Sequence, residues 1–214
     1  MAEWFLESEG KVIVESLITI IHENREYLSD IDGAIGDGDH GINMDKGFSL
    51  TAKKLASMDI GLSESCKILG TVLVEDIGGS MGPLYGTFFK RMARATCQVD
   101  KINSEVLERM LTSAYEGIQI IGPANVGDKT MIDTLVPAIK ALEQARSEGL
   151  NFTACIDKMI EAAYVGWQST IGLVALIGRA SRLGERSRGV LDAGATSCYL
   201  ILKTIGEKSK ELAK

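Results

Sequence analysis

The sequence predicts an all-α protein, a bundle or helical barrel of about eight helices joined by short links. Three observations carry this. Apolar residues recur at helical spacing through most of the 214 residues. Runs of alternating Val, Ile and Thr that would mark strands are nearly absent. Only three prolines occur, Pro83, Pro123 and Pro137.

The first helix is expected from about Trp4 to Glu23, where Trp4, Phe5, Val12, Leu17, Ile18 and Ile21 recur. A second runs from Ile42 to Met58, with Met44, Phe48, Thr51 and Leu55 on one side. Ser63-Glu64-Ser65 opens a third, which buries Ile68, Leu69, Val72 and Leu73. The remainder cover Pro83–Thr96, Ser104–Ile121, Lys129–Arg146, Phe152–Ser169 and Ala195–Lys208. Asn103 and Ser104 ahead of Glu105 form a helix start, and Gly149 supplies a left-handed stop at no steric cost. Pro137 falls inside its expected helix, where it either kinks the helix or marks a later start.

No linker, repeat or low-complexity tract divides the chain, so one domain over residues 1–214 is expected. With 45% apolar residues it can build a full core without disulfides. The four cysteines, Cys66, Cys97, Cys155 and Cys198, are widely spaced in apolar, helix-like contexts, which suits reduced, packed thiols rather than a zinc site. A net charge of -6 argues against a sequence-independent nucleic-acid binder, which needs basic patches to displace counterions. The N-terminal stretch carries acids early and lacks a basic region, so it does not read as a signal peptide. The apolar runs are too short to span a bilayer. A soluble cytoplasmic protein, with neither a membrane nor a nucleic acid as partner, is expected.

Four stretches break the helical pattern with Gly and Asp. The first is Asp30–Gly41. Asp37 and Asp39 stand two apart, a spacing that in extended chain points both carboxylates to one side. Gly33, Gly36 and Gly38 let the chain fold back toward Asp32. Three carboxylates brought together repel unless a cation neutralises them, and hard oxygen ligands suit Mg²⁺. An EF-hand starting at Asp37 fails, because Gly41 and Phe48 stand where ligands are required. The alternative is an Asx-turn loop that caps the following helix. His40, directly after the acidic pair, is open to three readings: a phosphohistidine, an anion contact or a satisfied loop residue. The carboxylates favour its charged form unless metal ions offset their field. Contact with a nucleotide is preferred over covalent catalysis, since no second acid–base partner is evident. His22, near a helix end, reads as structural.

The second stretch, Asp76–Gly82, places glycines before a helix N-terminus, where backbone N–H groups and the helix dipole receive phosphate. It lacks the Gly-Lys-Ser/Thr of a Walker loop, and close helix packing is the alternative reason for its glycines. The third, Gly178–Gly194, crowds arginines into a Gly-rich segment of an acidic chain. Arginine suits bidentate phosphate contact, the alternative being a solvated basic loop. The fourth, Gly122–Lys129, leads to a helix that Asp128 or Thr130 can cap. Taken jointly, an Asp triad, a Gly-Gly helix start and an Arg/Gly loop describe a magnesium–nucleotide site. Phosphoryl transfer there needs positioning and charge neutralisation more than covalent help.

At these residues the chain resembles the ADP-binding L subunits of dihydroxyacetone kinases. The likeness rests on Ile35-Gly-Asp-Gly-Asp-His-Gly-Ile-Asn-Met44, Gly78-Gly-Ser-Met-Gly-Pro-Leu-Tyr-Gly-Thr-Phe-Phe89, Gly127-Asp-Lys-Thr-Met131 and Gly178-Arg-Ala through Ser187, and extends from the first helix to about Leu202. The resemblance implies a barrel of eight antiparallel helices with the nucleotide in loops at one end. It implies that Asp32, Asp37 and Asp39 bind two Mg²⁺ ions that hold ADP or ATP, with Arg179 joining these aspartates in catalysis. Nucleotide contacts are implied for His40, Gly41, Ile42, Asn43, Gly79, Ser80, Met81, Gly122, Met131, Arg179, Asp192, Ala193 and Gly194. Met81 stands where a small residue is common, and Ala193 where proline is frequent, which loosens that loop. The chain is too short to hold the substrate domain as well, so it looks like the free-standing type. In that type a phosphohistidine M subunit of the phosphotransferase system, fed by phosphoenolpyruvate, recharges retained ADP. The phosphoryl group then passes to dihydroxyacetone on a K subunit. A transcription regulator and a second copy of the chain are further partners. Three alternatives stand beside this one: a subunit that exchanges ATP and serves another small ketose, a regulatory binder read by its nucleotide state, and a plain helical scaffold.

Overall fold

The computed structural model describes residues 3–214, so Met1 and Ala2 of the expected domain lie outside the described residues. These residues form nine α-helices: α1 (Lys11–Glu23), α2 (Arg25–Ile35), α3 (His40–Leu55), α4 (Leu62–Asp76), α5 (Met81–Thr96), α6 (Ser104–Ile121), α7 (Ile132–Ser147), α8 (Phe152–Ser169) and α9 (Ala193–Leu212). Residues Phe5–Leu6 (β1) pair antiparallel with Lys101–Ile102 (β2).

Eight of the helices close a ring. Each of α3 to α8 packs on its successor in sequence, α9 packs on α1, and α1 on α3. The neighbours run antiparallel. His22 at the end of α1 meets Asp45 at the start of α3, Arg146 late in α7 meets Glu108 early in α6, and Lys210 late in α9 meets Asp157 early in α8. The ninth helix, α2, lies across one end, packed on α3 and α9. Each ring helix sends a fully buried side chain inward: Leu17, Phe48, Leu69, Phe89, Leu111, Leu135, Met159 and Ile201. The interior void bounded by Phe5, Leu17, Met92, Met110 and Ile205 measures about 10 Å³, room for one water at most. Side chains fill the barrel. No helix among the described residues is long and apolar enough to cross a membrane.

Local chemistry explains the helix ends. Asn103 and Asn151 begin α6 and α8 by accepting from the N–H groups of Val106 and Ala154, each at 2.9 Å. Gly149 takes a left-handed φ of 75° after α7. Cys66, Cys155 and Cys198 are buried free thiols, and burial pushes all three up from the ordinary cysteine range. Burial of the thiol disfavours the reactive thiolate.

The structure departs from expectation first near the chain's start. The first helix begins at Lys11 rather than Trp4, because β1 and a short 3-10 turn at Glu7–Glu9 use the preceding residues. The expected loop after residue 30 is helical through Ile35, with Leu28, Ile31 and Ile35 as its buried stripe. Pro137 lies inside α7, where the sequence placed it, and does not mark a later start. Its missing N–H leaves the Asp133 carbonyl unclaimed inside the helix, and Gly166 of α8 packs directly against that carbonyl.

Candidate functional site

Antiparallel order brings the N-termini of α3, α5, α7 and α9 to one end of the ring. Four positive dipole ends therefore face a common region. A cavity of about 350 Å³ opens there, within the range of small-ligand sites.

Asp32 sits on the last turn of α2, and the linking loop is only Gly36–Asp39. A Cβ on Gly36 would strike the Asp32 carboxylate, and Gly38 turns the chain back with φ 75°. The result puts carboxylate oxygens of Asp32, Asp37 and Asp39 all within 4.8 Å of one another. The Arg179 guanidinium is seated on Asp37, a stand-in for a cation at this cluster. Three hard, partly solvated carboxylates fit Mg²⁺, which keeps several of its waters.

His40 opens α3. Its backbone N–H donates to Asp32 at 3.3 Å, and its Nε2 shares a hydrogen bond of 2.9 Å with Ser197 Oγ. The Tyr85 hydroxyl lies 2.7 Å from the same Ser197 oxygen and donates to the Gly194 carbonyl. Burial pushes His40 down to about 4, against the pull of Asp32. The neighbouring carboxylate does favour the charged imidazole, as expected, but desolvation outweighs it.

The glycines at 78 and 79 are not packing residues. A Cβ on either meets nothing within 4 Å, and Gly79 has φ 74°. Close packing falls instead to Gly82, whose Cβ would overlap the carbonyls of Leu73 and Ile77.

Before α7, Thr130 Oγ1 accepts from the Ile132 N–H at 3.1 Å, the capping contact expected of Asp128 or Thr130. Buried Asp133 ties the preceding turn, its carboxylate accepting from Gly127 N–H at 2.6 Å and Thr130 N–H at 2.7 Å, and the helix starts at Ile132 rather than Lys129. Lys129 is 1% exposed and left-handed, with φ 62°.

The segment between α8 and α9 is not a plain loop. It contains 3-10 turns at Thr170–Gly172 and Arg179–Ser187, the latter broken at Gly184. Of its arginines, Arg179 reaches the carboxylates, Arg188 pairs with Glu185, and Arg182 and Arg186 are exposed to solvent. Asp192 caps α9 by accepting from Ala195 N–H at 2.7 Å, and burial pushes its carboxyl up to about 7. Ala193 is the buried first residue of α9, and the cap holds without proline.

Asp32, Asp37, Asp39, His40, Asn43, Gly79, Ser80, Met81, Gly122, Met131, Arg179, Asp192, Ala193 and Gly194 all line the one cavity. Gly41 and Ile42 do not. Gly41 lies against the Arg25 carbonyl, where a Cβ would overlap it, and Ile42 is 51% exposed. The structure adds Tyr85 and Lys129 to the lining, and an apolar wall of Leu84, Ile118, Ala124 and Ile177. The cavity therefore combines a carboxylate cluster suited to metal and phosphate with apolar surface suited to a flat base.

A family model described as the DAK2 domain matches residues 34–207. The chain is 40% identical over 195 residues to the ADP-binding subunit DhaL of a PEP-dependent dihydroxyacetone kinase from Escherichia coli (strain K12), covering 90% of this chain and 92% of that one. It is 37% identical over 188 residues to the ADP-binding subunit DhaL of a PTS-dependent dihydroxyacetone kinase from Lactococcus lactis subsp. lactis (strain IL1403), covering 87% and 90%. The solved dihydroxyacetone kinase from C. freundii in complex with AMP-PNP and Mg²⁺ superposes with a TM-score of 0.67 at 25% identity, over 92% of this chain. The chain spans about a third of that protein's length, 33%.

Proposed function

The chain belongs to the DAK2-domain family, and from that premise we propose that it is the ADP-carrying phosphoryl-transfer subunit of a dihydroxyacetone kinase. The observation that carries this is the cluster of three carboxylates, with oxygens all within 4.8 Å, at the mouth of a cavity faced by four helix N-termini.

In this reading residues 1–214 form a single nucleotide-binding helical domain. Asp32, Asp37 and Asp39 hold two Mg²⁺ ions, which, when bound, neutralise charge on the phosphates and align them for transfer. Backbone N–H groups at the starts of α3, α5 and α9 bind phosphate oxygens, with Ser80 and Gly79 in the α5 approach. Arg179 leaves Asp37 and stabilises the phosphoryl group in flight. Leu84, Ile118, Gly122 and Met131 wall the base. Neutral His40, held by Ser197, orients the α3 start without taking up phosphate itself.

The PEP-dependent and PTS-dependent kinases among the relatives support a multi-subunit enzyme. We assign the chain a cytoplasmic place in it: a phosphohistidine M subunit recharges retained ADP, and a K subunit presents dihydroxyacetone. A homodimer and a transcription regulator that reads the nucleotide state complete the proposed partners.

The test is direct. The chain is purified without added nucleotide, dialysed extensively in Mg²⁺ and denatured, and the released material is identified by mass spectrometry. Near-stoichiometric ADP is expected. Asp37→Ala should release none and bind added ADP more than about 100-fold more weakly, beyond the cost of losing a supporting partner. A chain that neither carries nor binds ADP overturns the reading.

A further inference from the structure

The Lys129 ammonium is buried, yet its three donors are all committed to backbone. It donates to the carbonyls of Thr170 at 2.6 Å, Leu173 at 3.2 Å and Val190 at 2.5 Å. An ammonium has three N–H groups, so none remains for a ligand. Thr170 and Leu173 begin the segment between α8 and α9, and Val190 ends it. One side chain thus ties both roots of the segment that carries Arg179. Burial pushes the Lys129 amine down from its ordinary range, with Asp192 and Asp133 supporting the ammonium and Arg188 opposing it. A buried charge needs full compensation to persist, and Lys129 is the one non-glycine residue held left-handed among the described residues. Other ties run along the same roots: Leu176 N–H donates to the Asp128 carbonyl at 3.1 Å, and Gly189 N–H to that of Ile171 at 2.8 Å.

We infer that Lys129 is a positioning residue: by clamping Thr170, Leu173 and Val190 it aims Arg179 at the carboxylate cluster and its bound phosphates. This rests on the nucleotide reading of the site. Lys129 touches no reacting atom and acts through Arg179. Loss of the clamp lets the segment swing as a hinged flap, and a displacement of about 1 Å at a charged contact costs up to about 100-fold in transfer.

The test is a double-mutant cycle on the full chain, read as the dissociation constant of ADP in Mg²⁺. Lys129→Met and Arg179→Ala should each weaken ADP by about tenfold or more, and the double variant should be no weaker than the weaker single. Amide exchange in Lys129→Met should accelerate over residues 173–190 and not in α3 to α6. A purely structural lysine predicts multiplied losses and a lowered melting temperature without local exchange, and that result overturns the inference. Lys129→Arg guards against a failed fold. It keeps the charge, but a planar fork does not address three carbonyls arranged around one nitrogen. It should therefore show the same non-additive loss with Arg179→Ala, and wild-type affinity in Lys129→Arg would equally overturn the proposal. If wild type itself binds no ADP, the nucleotide reading fails instead. If Arg179→Ala alone leaves affinity unchanged, Arg179 is not a phosphate ligand and there is nothing for Lys129 to aim.

Discussion

The guanidinium of Arg179 is paired with the carboxylate of Asp37, so a cation from the far segment of the chain sits on the cluster that a divalent ion needs. Two cations at one cluster compete. An exposed ion pair contributes up to about 1 kcal/mol, which corresponds to a factor of about five in affinity. Arg179→Gln should therefore bind Mg²⁺ alone up to about fivefold more tightly than wild type and bind Mg²⁺–ADP more weakly. Calorimetric titrations with and without ADP check the opposed signs. A variant that loses affinity for both would show that Arg179 supports the cluster rather than competing for it.

Chelation should expose how much of the stability comes from the ligand. A nucleotide present at about 100 times its dissociation constant stabilises by roughly 2.7 kcal/mol. For a chain of this size that is about 5–10 °C in melting temperature. Adding EDTA to the purified, nucleotide-loaded chain should lower the thermal midpoint by that amount, and readdition of excess Mg²⁺ with ADP should restore it. An unmoved midpoint after verified metal removal counts against the site.

Gly166 packs on the Asp133 carbonyl that Pro137 leaves free. A methyl group there overlaps backbone, which no rotamer change relieves. Gly166→Ala should cost about 1–3 kcal/mol and weaken ADP binding as well, since the same residue, Asp133, holds the turn before α7. Gly172→Ala, whose new Cβ meets nothing within 4 Å, should change stability by no more than about 0.5 kcal/mol. Paired denaturation curves decide it.

Asp192 gives a pH signature. Its folded carboxyl is raised by burial to about 7 from an ordinary 3.8. Between those values the folded chain holds a proton that the unfolded chain has released. The associated stability is present below about pH 4 and is lost as pH rises through about 7, a few kcal/mol in all. In ligand-free protein, wild type minus Asp192→Asn should therefore decline from pH 4 to 7 and stay flat above. Asparagine still caps α9, so the variant folds. A difference that rises with pH would mean the native carboxyl is ionised and paired.

The ring was legible because each helix writes its buried face locally. Met44, Phe48, Thr51 and Leu55 were expected on one side of α3, and all four are buried. Residues 30–35 look like loop because Asp30, Asp32 and Gly33 dominate their composition, although Leu28, Ile31 and Ile35 carry the helical spacing that takes α2 to its observed end. The carboxylate cluster was readable because its members lie within eight residues. The Lys129 clamp was not, since its acceptors stand 41 to 61 residues away and three carbonyls leave no mark on side-chain identity. Only half of the balance at His40 is legible for a related reason: the neighbouring carboxylates are visible in sequence, whereas the burial that outweighs them is a property of the assembled ring.

The backbone of Lys214 is hydrogen-bonded to those of Glu3 and Trp4, beside the start of α1 and beyond the end of α9. The 20 residues of α9 set these two ends about 30 Å from the cavity mouth. Residues 3, 4 and 214 therefore share one seam on the blind side of the barrel, and a label joined at that seam stands clear of every loop that lines the cavity.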